Sequence, residues 1–276
     1  MLNRISDPIV GPYMNSYVLS KVLSEQLVSE CSEKFPICVV RPSVVTAALS
    51  EPTPGFVDNF QALNGFIAAA GQGPVFFLNG NSSVDLDLIP VDVVAKTIVM
   101  AARETALNRS TKVQVYNCVS GNLNPLPMAS FIKHLNTTIV QYPNKLNRAY
   151  PRVYMAQNQL WYTTCVFLFC TLPALFIDFC LKMLGSKPKL LRQVEKIKKL
   201  TVATRWVTTR QWNFKSDNME ELMDNAKRFA DGEDFFTDFR KLDWFYYNKL
   251  LVYGLRRYAL LESDDTLKTA KIKVWR

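Results

Sequence analysis

Histidine is almost missing from this chain: its 276 residues contain one, His134, in "MASFIKHLNTTI". A lone His on an amphipathic helix reads as structural, so His-based triads and His-rich metal sites lack the residues to be built. Cysteine is sparse too. Cys31, Cys38, Cys118, Cys165, Cys170 and Cys180 form no C-x-x-C, which removes metal-ligand spacing and leaves reduced, buried thiols in a cytosol-facing protein as the expectation. The opening "MLNRISDPIV" has no apolar h-region of a signal peptide. Repeats and low-complexity tracts are absent, and no charged residue occurs from Val153 to Ile177.

What is present is ordinary globular composition, 49% hydrophobic, with 17 Phe, 11 Tyr and 5 Trp to fill a core. The formal net charge of +9 implies attraction to something anionic: nucleic acid, a membrane surface or a phosphate-bearing small molecule. No nucleic-acid module or aromatic–basic interleaving accompanies that charge, so nucleic acid is set aside.

Apolar residues at Tyr17, Val18, Val22, Leu23, Leu27 and Val28 have helical periodicity. "ICVVRPSVV" follows as a β-branched run suited to a strand buried on both faces of a parallel sheet. Residues 50–82, rich in Gly, Pro and Asn, read as a long excursion over that sheet. "DLDLIPVDVVAKTIVMAAR" predicts a short strand, then a helix with Asp92 in its first turn. "KVQVYNCVS" predicts a strand and "PLPMASFIKHL" a helix. This alternation implies βαβ units, about half of a doubly wound α/β fold. The character changes near residue 145, where the apolar stretch and a basic segment from Lys187 to Arg210 begin a helical, aromatic remainder.

Within "NSYVLSKVLSEQL", Tyr17 and Lys21 stand four apart and share a helix face. An ammonium beside a phenol favours the ionised phenol, and such a Tyr can pass its proton to a carbonyl oxygen. The spacing is weak by itself, since about one Y-x-x-x-K per chain of this composition arises by chance.

The surroundings change that. A Y-x-x-x-K helix leading into a β-branched strand that ends in "RPS", followed by "DLIPVDVVAKTI" and "VYNC", resembles the extended short-chain dehydrogenases/reductases. More narrowly, "YVLSKVLSEQLV", "PICVVRPSVVTAALSEPTPGFVDN", "NGFIAAAGQG", "MLGSKPKLL", "RQWNFKSDNMEEL", "DFRKLDWFYY" and "GLRRYALLE" resemble the alcohol-forming fatty acyl-CoA reductases, insect members most closely, from about residue 11 to about 270. The resemblance implies the C-terminal portion of a Rossmann-like doubly wound parallel sheet followed by a mostly α-helical domain. It divides the chain into a partial NAD(P)-binding domain, 1–145, and a helical C-terminal domain, 146–276, that includes the apolar segment 153–184.

It also implies NADPH as cofactor, a long-chain acyl-CoA as substrate, and reduction through a bound aldehyde to a primary alcohol. Tyr17 would be the proton donor, and Lys21 would hold the nicotinamide ribose. Pro42, Ser43, Val44 and Val45 match the segment that lies against the nicotinamide, although such residues also make an ordinary strand-to-loop corner. The chain has no G-x-x-G-x-x-G turn for a pyrophosphate, and Ser16 stands where relatives usually carry Thr. The expectation is therefore the C-terminal part of a longer reductase, which alone neither binds NADPH tightly nor turns over. The alternative is an inactive, truncated relative acting as a membrane-associated acyl-binding or structural protein.

The apolar stretch is long enough to cross a bilayer, which takes about 20 residues. Pro173 interrupts it, Asp178 follows at once, and basic residues flank both ends, which favours an interfacial or hairpin-like element over a span or a buried helix pair. The expected setting is the cytosolic face of the endoplasmic reticulum, peroxisome or lipid droplet. Oligomeric state, a homo-oligomer included, is left open.

Overall fold

The computed structural model describes residues 16–73, 76–110, 112–147, 150–229, 232–235 and 239–274. Helix α1 (Ser16–Glu30) precedes strands β1 (Cys38–Pro42) and β2 (Val44–Thr46), then helix α2 (Ala62–Ala70) and strand β3 (Phe76–Asn79). Strand β4 (Leu88–Pro90) runs directly into helix α3 (Val91–Asn108), followed by β5 (Gln114–Cys118), α4 (Met128–Gln141) and β6 (Val153–Ala156). The remainder is helical: α5 (Gln159–Met183), α6 (Leu190–Thr208), α7 (Asp217–Ala226), α8 (Gly232–Phe235), α9 (Trp244–Gly254) and α10 (Asp265–Val274).

The fold is mixed α/β, and the named strands pair in parallel, as the alternation of elements requires. The pairing forms three two-stranded sheets: β1 with β5, β2 with β4, and β3 with β6. The run "ICVVRPSVV" is one apolar stretch but two strands. Pro42 has no N–H for a ladder, and past Ser43 the chain changes partner from β5 to β4. Residues 50–82 are not the open excursion that their composition suggested. They contain α2, whose Phe66, Ile67 and Ala70 are buried, and β3, whose partner β6 is the start of the apolar stretch.

The chain folds as two compact units, each built from separate pieces of sequence. One comprises residues 1–42, 95–118 and 216–236. In it α7 buries Met219, Leu222, Met223 and Ala226, and its Asn218 Nδ2 donates to the Val115 carbonyl of β5 at 2.8 Å. Helix α1 buries no residue; Tyr17, Val22, Leu23, Leu27 and Val28 are all exposed. The apolar periodicity that predicts α1 is therefore correct for a helix, but its apolar side chains are exposed among the described residues.

The other unit comprises residues 43–94, 119–215 and 237–276. Its core joins Phe131, Leu135 and Ile139 of α4 to Tyr247 and Leu251 of α9, with Phe66 and Ile67 of α2 and Leu88 of β4. Helix α9 approaches the loop before α2 so closely that a Cβ on Gly254 would stand 1.7 Å from the Gly55 carbonyl oxygen, so only glycine fits there. The buried Tyr247 hydroxyl donates to the Ala47 carbonyl at 2.6 Å and meets Thr46 Oγ1 at 2.6 Å. His134 is structural, its ring edge-on to Phe245 with centroids 5.2 Å apart, and burial pushes its pKa down. The expectation of uniformly buried thiols is corrected: all six cysteines are unbridged, but Cys31 is exposed. It lies just past α1, which has no buried face to shield it.

The apolar stretch is not a hairpin. Gln159 to Met183 forms one unbroken helix, with a π-turn at Phe167–Thr171 placed immediately before Pro173. The π-turn shifts the bonding to i→i−5, with Leu172 N–H on Phe167 O. That wider turn makes room for a proline ring that would clash with a regular α-turn. At the far end Gly185, at φ +72°, closes the helix, and Asp178 caps the next one. The Asp178 carboxylate accepts the backbone N–H groups of Lys189, Leu190 and Leu191 at 3.0, 3.0 and 2.9 Å.

Candidate functional site

Tyr17 and Lys21 lie one turn apart on α1, as their spacing predicts, with Lys21 Nζ 5.6 Å from the Tyr17 ring centroid. The Tyr17 side chain is 66% exposed, so its hydroxyl is open to an incoming group. Glu25 continues the same face by one more turn, and there the helix is tied to the strand that follows. Arg41 of β1 donates Nε to both Glu25 carboxylate oxygens, at 3.0 and 3.1 Å, and adds an Nη2 bond to Oε2. An exposed pair of this kind is worth only about 0–1 kcal/mol; its effect is to hold the Tyr17–Lys21–Glu25 face in register with the end of β1. Sequence reading passed over Arg41 and Glu25. Helix spacing puts Glu25, eight residues after Tyr17, on the same face, but nothing in that spacing pairs it with Arg41.

The second group of predicted residues forms a corner. Pro42 ends β1 in the unit that holds Tyr17 and Lys21, and is exposed. Ser43, Val44 and Val45 open the other unit. Val44 N–H donates to the Asp87 carbonyl at 3.3 Å and its side chain is half-buried, whereas Val45 is 37% exposed. Ser43 Oγ is buried and has no hydrogen-bond partner among the described residues.

Asp92 fixes the chain just beyond this corner. Its carboxylate accepts the N–H groups of Leu49, Ser50 and Glu51 at 2.9, 2.8 and 3.1 Å, and the Ser50 hydroxyl at 3.0 Å. In the sequence Asp92 reads only as a first-turn carboxylate complementing the helix dipole. In the structure it clamps the segment after β2 onto the start of α3. Burial alone would raise its pKa, but the bonds from Leu49, Ser50, Glu51 and the Ser50 hydroxyl outweigh that and hold it below the usual carboxylate value.

A group with a depressed folded pKa contributes stability that is full above its unfolded value, near ~4, and fades as pH falls through the folded value. Asp92→Asn is therefore expected to destabilise by about 1–3 kcal/mol at pH 7. The gap between variant and parent in urea melts should narrow below about pH 4. An unchanged gap in acid would contradict the clamp.

Two family models match the chain, both described as "Male sterility protein": an NAD-binding model over residues 1–98 and a second over residues 169–262. Fatty acyl-CoA reductase 1 of Mus musculus is 31% identical over 271 residues, covering 98% of this chain and 52% of that protein. The Homo sapiens protein of the same name is 30% identical over the same length. Fatty acyl-CoA reductase wat of Drosophila melanogaster is 27% identical over 270 residues, 96% of this chain and 51% of that protein. The chain thus spans about half the length of the curated relatives it matches. Among solved structures, a UDP-N-acetylglucosamine 4-epimerase from Bacillus cereus aligns at TM-score 0.32 and 18% identity, over 68% of this chain and 55% of that one.

Every predicted site residue falls within residues 1–98, the span of the NAD-binding match. A nicotinamide cofactor needs a cation for its ribose, a small polar corner for its ring, and a cradle of backbone N–H groups for its pyrophosphate. Lys21, in one unit, carries the charge that the first needs; Ser43, in the other unit, has a hydroxyl unpaired among the described residues, and that hydroxyl is buried. For the third, no glycine-rich strand-to-helix turn stands among the described residues.

Proposed function

We propose, from the premise that the chain belongs to the fatty acyl-CoA reductase family, that it carries the proton-donating part of an NADPH-dependent reductase that turns a long-chain acyl thioester into a primary alcohol. The observation that carries this reading is the exposed Tyr17–Lys21 pair on α1, tied through Glu25 and Arg41 to β1. NADPH, when bound, supplies a hydride to the carbonyl carbon in each of two reductions. Tyr17 Oη donates the proton that the aldehyde oxygen needs as it becomes an alcohol. The Lys21 ammonium holds the ribose hydroxyls and stabilises the phenolate that Tyr17 leaves behind. Pro42, Ser43, Val44 and Val45 form the surface for the nicotinamide ring, with Ser43 Oγ as its hydrogen-bonding group. The coenzyme A thiolate departs in the first reduction, which yields the bound aldehyde.

The reading extends to a membrane surface. Among the described residues one helix, Gln159–Met183, is long and apolar enough to cross a membrane by length and composition, and only 28% of its most apolar window is buried. Its aromatic and aliphatic side chains, Phe167, Phe169, Phe176 and Phe179 among them, face outward. Basic α6 follows directly, which suits a helix lying among anionic headgroups on the cytosolic face.

Expression of the complete reading frame in cells that make no long-chain alcohol is the test. Hexadecanol or octadecanol should appear, with NADPH preferred over NADH in the extract. Aldehyde as the sole product would overturn the alcohol-forming reading, and no product would overturn it in favour of an inactive relative.

A further inference from the structure

The outward helix α5 and the basic helix α6 line a cavity that contains none of the predicted site residues. It measures about 520 Å³ and belongs to the unit that lacks Tyr17 and Lys21. Val166, Phe169, Ala174 and Ile177 of α5 form one wall, and Ile197 of α6 with Phe77 of β3 closes the other. Its size falls within the ~300–1,000 Å³ of ligand pockets.

Two cations stand at the cavity, one of them paired. Lys196 and Lys198 line it, and no Asp or Glu does. Lys198 is held by Glu195 at 3.1 Å, and Lys196 is exposed. Two of the lining side chains, Phe169 and Ile177, are themselves outward-facing, continuous with the exposed Phe176 and Phe179. The cavity therefore borders exposed apolar surface.

We propose that this cavity binds a single-chain anionic amphiphile, its alkyl chain between α5 and α6 and its head at Lys196 and Lys198. Alkyl burial supplies affinity, and the lysines select a carboxylate or phosphate head over a neutral one. The proposal does not rest on the reductase reading, because its test involves no turnover. An inactive chain that binds and an active enzyme that does not are separate results.

The test is displacement of the fluorescent fatty acid cis-parinaric acid from the 276-residue chain. Palmitate and 1-palmitoyl lysophosphatidate should compete at micromolar concentration, distinguishing a carboxylate from a phosphate head. Hexadecanol should compete at least tenfold more weakly, and inorganic phosphate not at all. Ala174→Phe fills the cavity and should weaken palmitate at least tenfold; its unfolding midpoint is recorded alongside. Lys196→Glu, at an exposed position, should weaken palmitate about tenfold and leave hexadecanol unchanged. Undiminished palmitate binding in a folded Ala174→Phe protein, or in Lys196→Glu, would overturn the assignment.

Discussion

Tyr17→Phe, made in the complete reading frame, is expected to lower the rate of alcohol formation about 10²–10⁴-fold, the range for removing a positioned general acid. The phenyl ring keeps the packing of a side chain that is already 66% exposed, so stability should not change measurably. The loss should fall on kcat, because the proposed role of Tyr17 is to donate to charge that develops at the carbonyl oxygen during hydride transfer and not in the ground state. Lys21→Met should differ, raising KM for NADPH as well as lowering kcat, because the proposed role of Lys21 is to hold the ribose. Alcohol production by Tyr17→Phe at the parental rate would remove Tyr17 from the mechanism, whatever the family resemblance implies.

The second large effect is on stability. Arg256 is 1% exposed, in the π-turn that extends α9, and Glu262 is its buried anionic partner at 3.5 Å. The guanidinium also donates to the Pro143 carbonyl at 3.2 Å, the Ser263 carbonyl at 2.9 Å and Thr266 Oγ1 at 2.6 Å. Glu262 in turn accepts the Lys145 N–H at 2.8 Å. One ion pair thus joins the loop after α4, the end of α9 and the start of α10.

Glu262→Leu leaves the guanidinium buried with only the half-exposed Asp264, at 3.5 Å, as counter-charge. Stranding a buried charge in this way costs about 3–5 kcal/mol. The exposed partner should matter much less, with Asp264→Ala costing about 0–1 kcal/mol. Replacing both members of the buried pair, Arg256→Met with Glu262→Leu, should recover part of the loss, because neither charge is then stranded. Urea melts of the three variants measure this. A loss below about 1 kcal/mol for Glu262→Leu would show that Arg256 does not depend on Glu262.

The elements legible in the sequence were those whose reason is local. Period-3.6 apolar spacing marks α1, a β-branched run marks β1 and alternation marks β5, because each pattern is set by the residues of one element. Tyr17 and Lys21 were legible for the same reason: an i, i+4 pair meets on a helix whatever surrounds it. What stayed hidden depends on distant segments. The clamp of Asp92 on Leu49–Glu51, the cap of Asp178 on α6 and the Arg41–Glu25 tie join residues 11 to 43 apart, and no spacing rule announces them.

The family-like segments show the same division. "GLRRYALLE" was recognisable as a string, but its physical content is Gly254 pressed against Gly55 and Arg256 buried on Glu262. "MLGSKPKLL" likewise proves to be a helix end at Gly185 and a helix start capped from Asp178. Composition misled in one place. Gly, Pro and Asn across residues 50–82 suggested open chain, while the Ala-rich "ALNGFIAAA" within it had enough apolar surface to form a buried helix.

The most direct measurement for the central claim uses NADPH deuterated at the transferable C4 position, given with palmitoyl-CoA to the protein of the complete reading frame. Mass spectrometry of the product should find two deuterium atoms on C1 of hexadecanol, one from each reduction, and Tyr17→Phe should lower the yield without changing that number. Unlabelled hexadecanol, or labelled aldehyde with no alcohol, would contradict it.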